Sequence, residues 1–177
     1  MKRINLFFSC FLYLLIFTGG MTHAQVTPPV SAQGHILAEI IPIFTASETS
    51  QLDFGKFSPG PQGGEIILTP ESTFSVLGSV YKGTGSQNAA SFYVTGDADE
   101  SFTITLPAGP VVLKHISTAK TLSVVDWVSV PAPGIGAGRL KEGFQVVRVG
   151  ATLKVGTLYD SPIGIYVGSY TITFDFN

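Results

Sequence analysis

The 177-residue sequence predicts an all-β fold, a Greek-key immunoglobulin-like β-sandwich with an open β-barrel as the alternative. Three observations lead there: apolar residues recur at every second position in run after run, Gly- and Pro-rich turn signals separate the runs, and no segment carries the 3.6-residue periodicity of a helix. The length suits one domain with one core. Hydrophobic residues at 45% against charged residues at 12% exclude intrinsic disorder, and a formal net charge of −2 excludes a strongly basic nucleic-acid binder.

The first element is an export signal. Lys2 and Arg3 precede the apolar stretch Ile4 to Phe17, and Thr18-Gly19-Gly20 breaks it before Thr22-His23-Ala24, a small-x-small ending that places cleavage after Ala24. The stretch is shorter than the roughly 20 residues of a spanning helix, so no stable membrane insertion of the mature chain is expected. A lipidated Cys10 is the rival reading, opposed by the apolar run Phe11 to Phe17 that would be left dangling. Met1, Met21 and the sole Cys, Cys10, all fall in the removed segment, which leaves no disulfide, thiolate nucleophile or thiolate metal ligand. Residues 25–34 follow as a flexible N-terminal arm whose Pro28-Pro29 fixes φ and removes donors, and residues 35–177 form the domain.

Within the domain the less regular strand candidates are Ile36–Phe44, Gln51–Phe57, Glu65–Thr69 and Thr73–Val80. Clear alternation begins at Ala90, Phe92 and Val94 and continues at Phe102, Ile104 and Leu106. Val111–His115 and Leu122–Val130 are again less regular candidates, the latter alternating from Leu122 onward except at Asp126. Val147, Val149, Ala151, Leu153 and Val155 form the longest regular row, and Tyr166, Tyr170, Ile172, Phe174 and Phe176 close the sequence with Ser169, Thr171, Thr173 and Asp175 facing outward. Ser58-Pro59-Gly60-Pro61, Gly63-Gly64, Gly83–Gly85, Gly96-Asp97 and Ala132–Gly138 are the turn signals, and about nine or ten strands result.

Catalytic patterns are weak, and a non-enzymatic chain without cofactor or metal is expected. His35 and His115 are the only histidines beyond Ala24, and no G-x-S-x-G elbow accompanies them. Gly134-Ile135-Gly136-Ala137-Gly138-Arg139 is superficially like a dinucleotide loop, yet Arg139 takes the last glycine's place and no βαβ unit surrounds it, so it reads as a flexible connection. Gly55-Lys56 is followed by Phe57 and lacks the preceding glycine of a phosphate loop. Asp97, Asp99 and Glu100 offer three carboxylates on one turn, a set that suits calcium, although a solvated hairpin tip commonly carries the same residues. Trp127, Tyr93, Tyr81 and Tyr159 would make a sugar-stacking face if they converged, and cross-strand packing if they did not.

Leu52-Asp53-Phe54-Gly55, Gly63-Gly64 before a strand, Ala90–Gly96, Phe102–Pro107, Val149–Val155 and Gly164–Asn177 resemble, in that order, an exported bacterial β-domain family known as domain of unknown function 4402. The resemblance spans most of Ile43 to Asn177 and implies export and a single β-domain related to fimbrial subunits. The closing segment resembles pilus subunits assembled by the chaperone–usher route, which end in a strand with a penultimate aromatic, apolar alternation before it, and a glycine fourteen places from the end. Phe176 is penultimate here, Phe174, Ile172 and Tyr170 continue the alternation backward, and Gly164 holds the fourteenth place.

That resemblance implies an unfinished sandwich whose last strand borders an open groove. A periplasmic chaperone lends the missing strand, an usher assembles the polymer, and the arm of the next subunit replaces the loan, giving a homopolymer by strand donation. Gly164, Tyr166, Tyr170, Ile172, Phe174 and Phe176 are the groove residues so implied, and Ile36, Ala38 and Ile40 the incoming plugs. Two features depart from the pattern: no cysteine remains for the disulfide many such subunits carry, and Pro28, Pro29 and Pro42 interrupt the arm. Ile36–Phe44 is equally readable as the domain's own first strand. The expectation is an exported structural or adhesive surface subunit, with a monomeric secreted binding module, for carbohydrate as one case, as the alternative.

Overall fold

The computed structural model describes residues 29–40 and 44–176; the expected export signal, Cys10, Pro28 and Pro42 lie outside them. The chain divides into two compact units, Met1–Glu39 and Ile40–Asn177. Residues 29–39, the described part of the first unit, are exposed and carry no regular secondary structure. The second unit begins at Ile40; of the expected strand Ile36–Phe44 the described residues 36–40 and 44 carry no strand, and the first described strand starts at Thr45.

Among the described residues, eleven strands build the second unit: β1 (Thr45–Ser50), β2 (Phe57–Leu68), β3 (Phe74–Lys82), β4 (Ala90–Thr95), β5 (Ser101–Thr105), β6 (Val111–His115), β7 (Thr121–Val130), β8 (Gly134–Arg139), β9 (Phe144–Val155), β10 (Tyr166–Val167) and β11 (Thr173–Phe176). Every pairing is antiparallel. One sheet runs β1-β4-β9-β7-β6-β10 with β2 and β3 branching from β9, and the other runs β11-β5-β8. The larger sheet curls like a half-barrel, so the molecule joins sandwich and open-barrel features.

β9 is the spine. Its twelve residues are long enough to pair with β4 through Phe144–Val149 and with β2 through Ala151–Val155, while β7 runs along its other side. Val147, Val149, Ala151, Leu153 and Val155 face inward and are almost completely buried, as period-2 alternation requires of a central strand. The row feeds two apolar clusters. One gathers Phe54, Ile66, Leu68, Val80, Leu122, Val124, Ala151, Leu153 and Val155; the other gathers Ala90, Val94, Phe102, Ile104, Leu140, Val147 and Val149. Leu52 and Trp127 pack against both.

Three departures from the sequence reading have clear physical causes. The Ser58–Gly64 turn signals lie inside one continuous strand, where the β2–β3 register shifts between Pro59 and Gly63. The Gly-rich segment Gly134–Arg139 is strand β8 rather than a flexible connection. Its Gly138 stands opposite Phe102, and a Cβ there would collide with the Phe102 ring, so the glycine lets a fully buried aromatic lie across the neighbouring backbone. Thr45–Ser50 forms β1 although it shows no apolar alternation. Asp126, the residue that breaks the β7 pattern, has φ of 50° and sits where the β7–β9 register shifts between Val125 and Val128. That bulge turns Trp127 inward.

Candidate functional site: a cleft between two strand edges

β1 pairs only with β4, and β11 pairs only with β5, so among the described residues each presents one unpaired edge. The two edges belong to different sheets and lie beside each other. Phe44, just before β1, meets Phe176 at the end of β11 with ring centroids 4.3 Å apart in edge contact. Further along, Glu48 on β1 stands opposite Phe92, whose ring lies 6.4 Å from that of Tyr170. The C-terminal segment thus runs opposite to β1 across the mouth of the sandwich.

Register explains which side chains face this cleft. Ala46 is opposite Val94 and Glu48 opposite Phe92, both partners being members of the second cluster, so Ala46 and Glu48 point inward. Thr45 and Ser47 point outward, with the Thr45 and Thr95 hydroxyls 2.7 Å apart. On the other wall Tyr170, Ile172 and Phe174 alternate inward but are only half-buried, and Phe176 remains 37% exposed. Phe92 supports the wall, 5.8 Å from Phe174 and 6.4 Å from Tyr170 between ring centroids. Trp127 lies 4.7 Å from Tyr170.

The cleft holds polar chemistry as well. The Trp127 indole Nε1 and the Tyr170 hydroxyl are shut off from solvent and have no hydrogen-bond partner. Burial, reinforced by the negative charge of Glu48, pushes the Tyr170 phenol well above its ordinary range.

Tyr166 and Gly164 are elsewhere. The alternation from Tyr166 to Phe176 spans two strands in two sheets: β10 pairs with β6 in the large sheet, and the chain crosses before β11 joins β5 in the small one. Tyr166 packs edge-on to His115 at 4.9 Å and donates from its hydroxyl to the Pro162 carbonyl at 2.9 Å. A Cβ on Gly164 would strike the His115 ring, so this glycine admits the imidazole. His115 Nδ1 accepts from the Ser117 and Thr118 backbone N–H groups at 3.0 and 3.1 Å, which makes Nε2 the donor to the Ile163 carbonyl at 3.1 Å. A buried imidazole committed at both nitrogens ties two loops together. Of the groove residues read from sequence, Tyr170, Ile172, Phe174 and Phe176 line the cleft, and Gly164 and Tyr166 brace the loop before β10. Ile36, Ala38 and Ile40 lie in the exposed leading segment, Ile36 at 98% and Ile40 at 97% exposure.

The remaining candidates disperse. Trp127 faces the interior, Tyr93 stacks on Phe144 at 5.5 Å, Tyr81 sits on β3, and Tyr159 lies under Lys120, so the four aromatics form no common face. Asp99 pairs with Arg139 at 3.3 Å, and among the described residues no group of three His, Cys, Asp or Glu side chains could hold a metal. No described helix is long and apolar enough to cross a membrane. Glu48 escaped the sequence reading because Thr45–Ser50 offers no apolar row to show which of its residues point inward.

An antiparallel two-sheet β-domain with features of a sandwich and an open barrel is the class of protein this architecture defines. The family model described as domain of unknown function (DUF4402) matches residues 44–176, and the chain belongs to that family. Neither a curated protein nor a solved structure matches it.

Proposed function

We propose that the chain is an exported, non-enzymatic structural or adhesive surface subunit, fimbria- or pilus-like, that assembles by β-strand donation. The observation that carries this reading is the half-buried inward row Tyr170, Ile172 and Phe174 beside the unpaired edge of β11. Edge strands present free N–H and C=O groups, and a strand laid antiparallel along β11 gains a main-chain ladder while covering that row. The donor is the leading segment of a second copy. Its Ile36 and Ile40 are exposed side chains, each gaining roughly 1.5–3 kcal/mol on full burial, with Ala38 between them on the same parity. Before assembly a periplasmic chaperone supplies a comparable strand and an usher exchanges it, consistent with the export signal expected at Met1 to Ala24.

The test is the behaviour of the processed chain purified without a chaperone. Light scattering is expected to show polymers or aggregates, an excess of a Gln25–Phe44 peptide should give a soluble one-to-one complex, and Ile36→Asp with Ile40→Asp should abolish self-assembly. A processed chain that stays monomeric and takes up no peptide overturns the reading and leaves a self-sufficient binding module.

A further inference from the structure

Glu48 is an anomaly in its setting: an acidic side chain directed inward from an edge strand, opposite Phe92, on the wall that faces Tyr170, Ile172 and Phe174. It remains exposed because the neighbouring edge is open, and a covering strand would strip its water. On the facing side stand two donors lacking an acceptor, the Trp127 Nε1–H and the Tyr170 O–H, on rings 4.7 Å apart. Buried donors of this kind are normally satisfied, and both of these are free to meet an acceptor. Phe92 links the groups, being the cross-strand partner of Glu48 and in edge contact with Tyr170.

We propose that the Glu48 carboxylate is that acceptor, and that Glu48, Tyr170 and Trp127 close into a polar latch when a donated strand fills the cleft between β1 and β11. This rests on the strand-donation reading and adds a specificity device to it. An inward-pointing charge on an edge strand discourages indiscriminate pairing, because any strand covering it must leave it a partner. Here the host's own wall supplies the partners, and only a strand seated deeply enough to press Glu48 toward Tyr170 leaves no charge stranded. Latch closure makes Glu48 a positioning residue for correctly seated donors.

Trp127 is the sole tryptophan of the chain, so ¹⁵N-labelled tryptophan gives one indole cross-peak. The host is the processed chain carrying Ile36→Asp and Ile40→Asp, which keeps its cleft but does not self-assemble. Adding the Gln25–Phe44 peptide is expected to move the indole proton downfield and slow its exchange. Glu48→Ala should lose that shift and weaken peptide binding about tenfold, whereas Glu48→Gln, whose amide oxygen still accepts, should retain part of both. Peptide binding with the same indole shift in Glu48→Ala as in the parent host overturns the latch and leaves donation standing. Absence of peptide binding to the parent host overturns both.

Discussion

β9 and the C-terminal segment have the same alternating sequence pattern and opposite fates. On β9 the inward row from Val147 to Val155 is sealed by β4 and β2 on one side, β7 on the other, and packing from both clusters. On the C-terminal segment Tyr170, Ile172 and Phe174 face the same interior yet stay half-buried, because Tyr170 and Ile172 precede β11 without a strand partner and β11 itself pairs only with β5. The difference lies in strand neighbours, not in residue type. Alternation therefore specifies which face a residue takes, while the number of flanking strands decides how completely that face is removed from water.

The sharpest test of this contrast is truncation. Leu153→Ala on β9 should cost about 2–5 kcal/mol in urea unfolding, the range for a large-to-small change in a sealed core. Ile172→Ala should cost about 1 kcal/mol in the unfilled domain, and the gap between the two should narrow when the Gln25–Phe44 peptide is bound. Equal costs without peptide would break the comparison. Next in size is Gly138→Ala, expected to destabilise by about 1–3 kcal/mol because its methyl displaces the buried Phe102 ring, with near-ultraviolet circular dichroism reporting the shift. The smallest effect concerns pH. The Tyr170 phenol ionises at higher pH in the folded chain than in the unfolded one, so its contribution is fully present below about pH 10 and declines as pH rises above that value. Urea midpoints measured between pH 9 and 11, values bracketing that ordinary phenol range, should fall less steeply for Tyr170→Phe than for the parent.

What the sequence made legible follows from the same physics. The β9 row was readable because alternating bulky residues leave a periodic trace, whereas β6, VVLKH, was marked as a strand on a less regular pattern. β1 and β8 left none: TASETS carries no apolar row, and in GIGAGR the strand position opposite Phe102 is Gly138, whose missing side chain leaves room for that ring. The bulge at Asp126 announced itself as a broken alternation, yet its effect, the inward turn of Trp127, needed the register with β9. For the cleft, Tyr170, Ile172, Phe174 and Phe176 were readable as a row. That Tyr166 leaves the row depended on the crossing between sheets, and Glu48 depended on the pairing of β1 with β4, neither of which is written in local periodicity.

Leu52 and Trp127 touch both clusters, and β9 runs through both, so the half that borders the cleft and the half that curls around Phe54 share structural members. Events at one are felt at the other as a change in opening free energy. Amide protons of β2 and β3, which take no part in the cleft, should exchange with deuterium more slowly once the Gln25–Phe44 peptide is bound, making a remote hairpin the gauge of the proposed strand donation.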